Sequence, residues 1–274
     1  MKVVSRPARA RTRVCVGKFF LDRLGPDGTI CAMQKSRTPL TIGWQAVKVN
    51  MLPGFVLQAT MLSIVLAYYF SPKSAVLLNQ LADYKRNHEV AFIIIASVCA
   101  GALLPELFVV CFFQRARVRT QNFRDLLFTA PFWAIDGVLV DLMYRTLAIW
   151  FGMKVSVPVV VAKICVDQFG YNPFFAAPYG IWGYAWKHCG YSWNSLRPLL
   201  TWNYYRQHAI PVLIATWAVW IPLMAMIYSL PLALQFPLFA LALTFWVLLM
   251  TYMTNRFAGK IEADTPLALS VADL

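Results

Sequence analysis

Of 274 residues, 59% are hydrophobic and only 14% charged, yet the formal net charge is +13. That balance excludes an ordinary water-soluble domain. It also argues against a nucleic-acid-binding protein, because no recognition module accompanies the basic residues.

In chain order, residues 1–37 form a basic segment with no acidic residue before Asp22 and a turn signal at Gly25-Pro26-Asp27-Gly28. The expectation is a poorly ordered tail, suited to a cytoplasmic face or to organelle targeting. A helical membrane domain is expected over 38–255 and a C-terminal tail over 256–274. Pro39 to Asn50, with Trp44 and Lys48 among apolar residues, reads as an interfacial segment anchoring on lipid headgroups.

Six apolar stretches are long enough to cross a bilayer of about 30 Å: Met51 to Phe70, Val90 to Phe113, Leu126 to Trp150, Val155 to Trp186, Ala209 to Leu230 and Leu232 to Thr254. A four-span variant leaves the third and fourth partly peripheral. The fourth stretch is over-long and carries Pro158, Pro173 and Pro178, which predicts a kink or break at Pro173. Trp182, Tyr184, Trp186, Tyr191 and Trp193 follow as an aromatic interfacial belt, and Ser192 to His208 reads as a second interfacial segment. From Gln207 to Asn255 there is no Lys, Arg, Asp or Glu, so two spans are predicted with a turn at Ser229-Leu230-Pro231.

The fold class expected is therefore an all-α, multi-span helical bundle. Of the 25 Lys and Arg, 19 fall on one side of this six-span topology and 4 on the other, with two inside spans. Lys and Arg near span ends are retained on the cytoplasmic face, which predicts both termini on the cytoplasm-like or matrix-like side.

The middle stretches also hold Glu106, Asp136, Asp141, Arg145, Lys163 and Asp167. Six charges facing lipid would cost on the order of 15 to 20 kcal/mol, so they are expected to face protein or water. Asp141 and Arg145 are four residues apart, as are Lys163 and Asp167, so each couple shares a helix face and is expected to pair within its own helix. Glu106 and Asp136 have no evident partner in sequence; each either carries a proton or lines a hydrated cavity. Ser97-x-x-x-Gly101 and Ala176-x-x-x-Gly180 are candidates for close helix approach.

Six cysteines show no close pairing, and His88, His188 and His208 lack metal-ligand spacing. No metal, no cofactor and no catalytic constellation is expected, so the chain does not read as an enzyme.

Lys163-x-x-x-Asp167-Gln168-x-x-x-x-Pro173, then Trp217-x-x-Trp220-x-Pro222, Tyr228-x-Leu230-Pro231 and Trp246 follow one another in the second half. With Arg124, Gly137, Tyr144 and Arg145 before them, this order resembles the Mpv-seventeen / peroxisomal membrane protein (twenty-two-kilodalton) family over about residues 120–255. The chain departs from that pattern at Val138, at Met143 and after Pro231. The resemblance implies an all-helical protein of a mitochondrial inner, peroxisomal or related membrane, some members being associated with channel activity towards small solutes.

The leading expectation is a channel or pore-like protein for small solutes or ions, in contact with membrane lipids and able to form a homo-oligomer. Glu106, Asp136, Asp141, Arg145, Lys163, Asp167 and Gln168 would form its polar path or buried pairs, and Pro173 its gate. The rival expectation is a structural or assembly protein in which the same residues lock helices together.

Overall fold

The computed structural model describes the backbone of residues 39–264 and side chains as far as Tyr252. Every element among the described residues is helical. The basic segment 1–37 and residues 265–274 lie outside them.

Helix α1 (Pro39–Phe70) is separated from α2 (Pro72–Val98) by Ser71 alone. Ser71 is extended, its side chain accepts from the Ser74 amide, and Pro72 opens the first turn of the new helix. These are the features of a strong helix start. Residues 72–89, expected as a connection, are therefore helical. Glu89 interrupts α2 at φ 28°, a conformation that non-glycine residues seldom adopt. A π-helical turn (Cys99–Leu103) then leads into α3 (Leu104–Phe113).

Helix α4 (Thr120–Phe151) begins where the Asn122 side chain accepts from the Arg119 amide at 2.6 Å, and ends at Gly152 with φ 85°. Next come α5 (Val157–Val166), a π-helical stretch (Asp167–Ala176) and α6 (Ala177–His188) with no loop between them. After the short α7 (Trp193–Leu196) and a 3-10 turn, α8 (Trp202–Tyr228) and α9 (Leu232–Asp264) form a hairpin. Its turn is Ser229-Leu230-Pro231, as the sequence indicated. Residues 256–264, assigned to the tail, continue α9.

Five of these segments are long and apolar enough to cross a membrane: Asn50–Phe70, Pro72–Phe113, Thr120–Phe151, Trp202–Tyr228 and Leu232–Tyr252. Pro72–Phe113 runs 42 residues, which at about 1.5 Å per residue is about 63 Å and more than one bilayer thickness. The α5–α6 run is not among the five; Lys163, Asp167, Gln168 and Asn172 interrupt its apolar character.

The contacts set the helix directions. Lys85 meets Asp141, Ser97 meets Gly137 and Asn122 meets Glu106, so α2–α3 and α4 are antiparallel. Lys187 meets Asp125 while Tyr179 meets Phe132, so α4 and α6 are antiparallel too. Tyr228 reaches Asp167 and Tyr205 reaches Pro173, which makes α8 antiparallel to the α5–α6 run. Tyr69 bonds the Ser229 carbonyl and Gln58 the Ala218 carbonyl, so α1 runs alongside α8 in the same direction.

Met61, Tyr144, Leu223, Ile227, Leu234 and Phe236 fill the core between α1, α4, α8 and α9. Outward faces carry Leu52, Phe55, Leu127, Ile149 and Phe174, all exposed, as suits an apolar solvent. Gly137 and Gly101 show why α2 and α4 approach closely. A Cβ on Gly137 would lie 1.8 Å from Ser97 Oγ, and one on Gly101 would lie 2.2 Å from the Trp133 ring. The Ser97-x-x-x-Gly101 pair is thus a packing face. Gly180 of the other pair has nothing within 4 Å and borders open space.

Candidate functional site

Apart from Lys163, the ionisable residues expected along one path fall into three separate places. The first is the α2–α4 interface. Asp141 receives Lys85 Nζ at 2.7 Å on one oxygen and Arg145 Nε at 2.6 Å on the other. The side chains of Lys85 and Asp141 are 7% and 6% exposed, whereas that of Arg145 is 42% exposed. The intrahelical pair expected from the four-residue spacing is present. It is half of a triad whose other half, Lys85, comes from a segment read in sequence as a connection and counted among its exterior charges.

The second place joins the ends of α3, α4 and α6. Asn122 donates to Glu106, which therefore has a polar partner after all. Beside them Lys187 Nζ lies 2.6 Å from Asp125 Oδ1, a contact by charge without hydrogen-bond alignment. The same ammonium sits 5.4 Å from the centre of the Phe128 ring. Asp125 and Lys187 belong to this cluster and were not singled out in sequence, since each lies at the margin of an apolar stretch. Along α4, Asp125 and Asp141 are about 24 Å apart at about 1.5 Å per residue, so the two ion-paired clusters bracket most of a bilayer's depth.

The third place lies between them. A half-open chamber of about 450 Å³ is bordered by α4, the α5–α6 run, α8 and α9. Asp136 borders it from α4; Asp167, Gln168, Tyr171 and Asn172 border it from the π-helical stretch. Tyr144, Tyr179, Trp220, Phe239 and Trp246 supply much of the remaining wall. Asp136 makes no hydrogen bond or ion pair among the described residues. Asp167 accepts the Tyr228 hydroxyl at 2.8 Å. The Tyr171 hydroxyl is buried, has no hydrogen-bond partner, and lies within electrostatic reach of both carboxylates.

The expected pairing of Lys163 with Asp167 does not form. Asp167 opens the π-helical stretch and its carboxylate turns across to α8, where Tyr228 meets it. Lys163 is 3% exposed, makes no ion pair among the described residues and does not border the chamber. Asp141, Arg145, Glu106 and Pro173 do not border it either.

At Pro173 the chain does not leave the helix; the winding widens instead. In π-helical geometry the residue at 173 would donate to the carbonyl at 168, and proline has no donor. The indole of Trp217 fills that gap, donating to the Gln168 carbonyl at 3.0 Å, while Tyr205 donates to the Pro173 carbonyl. Freed backbone acceptors in a bilayer interior cost several kcal/mol each unless another group satisfies them. The two aromatic donors of α8 do so here. As a result the π-helical stretch can turn Asp167, Gln168, Tyr171 and Asn172 towards one side.

The aromatic wall and the Tyr228 hydroxyl were missed as site features in sequence, because α4, α6, α8 and α9 contribute them from positions far apart in the chain. One signal was legible: Tyr171 is four residues after Asp167, hence on its face. No family model, curated protein or solved structure matches the chain.

Proposed function

We propose that this multi-pass membrane protein holds a small solute in the chamber between α4, the α5–α6 run, α8 and α9, and passes it across the membrane. The observation that carries this reading is the 450 Å³ space bordered by Asp136 and Asp167. A helix bundle that only needed internal polar glue would bring Asp136 onto a donor, as it brings Asp141 onto Lys85 and Asp167 onto Tyr228. Ionisable groups kept unpaired at a cavity within the membrane are the usual mark of a solute or proton route. The solute site is thus a single chamber, rather than a continuous line through Asp136, Asp141, Arg145, Lys163, Asp167 and Gln168. Pro173, within the π-helical stretch and held by Tyr205, would act on the chamber through that stretch rather than from its wall.

The alternation of helix directions supports six passes with both termini on the same, cytoplasm-like or matrix-like side. Membership in the Mpv-seventeen / peroxisomal membrane protein family, and with it an organelle membrane, rests on the motif order around Asp167, Trp217 and Tyr228.

Two experiments test the reading. Purified protein in liposomes should release trapped small solutes, and Asp136→Asn should change the flux; a flux equal to that of protein-free liposomes counts against transport. Cysteines introduced at Asp136, Asn172 and Trp246 should react with a water-soluble thiol reagent. Protection at all three, together with no flux, leaves the rival reading of a structural membrane protein, which the Lys85–Asp141–Arg145 triad favours.

A further inference from the structure

The walls of the chamber combine two features seldom placed together without purpose. Asp136 and Asp167 both border it, no Lys or Arg among the described residues does, and the basic side chain on its wall, His208, has its Nδ1 2.7 Å from the Tyr204 carbonyl. Around them stand the rings of Tyr144, Tyr171, Trp220 and Trp246, with Trp220 and Trp246 edge to face at 6.3 Å and Tyr144 edge to face with Phe239 at 6.0 Å. The face of an aromatic ring carries negative charge density and attracts cations, most strongly where water is excluded. Carboxylates and ring faces therefore act in the same direction, and the cationic partner that Asp141 receives from Lys85 is missing at Asp136.

Resting on the reading of the chamber as a solute site, the geometry points to a specific class of occupant: a monovalent organic cation with an aromatic or aliphatic body, such as a lipophilic amine or quaternary ammonium compound. A small inorganic cation would use only the oxygens of Asp136, Asp167, Gln168 and Asn172 and gain little from the rest of this wall, because ring carbons cannot replace the oxygen shell it would shed. An organic cation carries its own apolar surface to the rings and needs little hydration. At about 30 Å³ for each water-sized group, the chamber has room for about 15 non-hydrogen atoms. Asp136, free of other partners, is the primary counter-charge. Asp167, held by Tyr228, is the secondary one, and the unbonded Tyr171 hydroxyl on the same wall is a further acceptor for an ammonium hydrogen.

Three probes of nearly one shape separate the possibilities: 1-methyl-4-phenylpyridinium, its neutral counterpart 4-methylbiphenyl, and the anion biphenyl-4-carboxylate. Equilibrium dialysis against full-length protein in lipid nanodiscs, with empty nanodiscs subtracted, measures each. The cation should bind at least tenfold more tightly than the neutral probe, and the anion should not bind above the empty discs. Asp136→Asn should weaken the cation at least tenfold and leave the neutral probe within twofold. Asp167→Asn should act in the same direction provided its melting profile matches the parent; Asp136→Asn, which breaks no hydrogen bond, carries the test if it does not. Equal binding of the neutral probe and the cation, or an unchanged cation affinity in Asp136→Asn, overturns the cation class while leaving a solute chamber. Absence of all three probes from the protein overturns the chamber as a binding site as well.

Discussion

Asp141 and Asp136 lie five residues apart on the same helix, and their surroundings are opposite. Asp141 faces α2, is fully enclosed, and holds Lys85 and Arg145 on its two oxygens. Asp136 faces a chamber and holds nothing among the described residues. Packing brings cations to one carboxylate and leaves the other beside a space. The residue type alone does not distinguish these fates; the neighbour across the helix pair does.

The largest difference should come from stripping each carboxylate of its setting. Lys85→Met leaves Asp141 enclosed beside the half-exposed Arg145, and losing one partner of a buried pair typically costs about 3 to 5 kcal/mol. Thermal melting in detergent should show this loss, and Lys85→Met with Asp141→Leu should recover part of it. A double variant no more stable than the single one would break the comparison at the paired site.

A middle-sized effect is expected at the seam that keeps α2 on α4. Gly137→Ala pushes a methyl group against Ser97, and overpacking of that kind costs about 1 to 3 kcal/mol. Gly180→Ala faces the chamber, where a Cβ meets nothing within 4 Å, so its melting temperature should stay with the parent. If both variants melt alike, the seam is not the tight contact and the chamber is not the open one.

A comparably small stability effect should be that of Asp136→Asn, which removes charge from a group with no pair to lose. Its melting temperature should equal or exceed that of the parent, within about 0.5 kcal/mol of stability. A loss as large as that of Lys85→Met would show that Asp136 has a hidden structural partner, and the contrast with Asp141 would collapse.

Much of the architecture was legible beforehand, for identifiable reasons. The charge-free run from Gln207 to Asn255 can only be buried or in lipid, and Pro231 after Ser229 stops a helix by removing a donor. Both are local facts of chain chemistry. The i, i+4 spacing likewise foretold the contact of Arg145 with Asp141. The same spacing failed at Lys163 and Asp167, where a π-helical rewinding and a hydroxyl from α8 drew the carboxylate away. Lys85 misled in the other direction. Its neighbours Asp83, Arg86 and Glu89 gave residues 72–89 the polarity of a connection, while Ser71 and Pro72 in fact start a helix that carries Lys85 into the interface.

By itself the sequence determined the helical character of the described residues, the location of helices long and apolar enough to cross a membrane and the presence of costly charges in the middle of the chain. These follow from hydrophobic run length, proline and glycine chemistry, and the energetics of charge in hydrocarbon, all of which act through neighbours in sequence. Only the tertiary structure decided which charges would be neutralised and which would border a space. Lys85 and Asp141 are 56 positions apart, and Asp167 and Tyr228 are 61 apart. Partners at that separation are chosen by how whole helices pack, which no local pattern encodes.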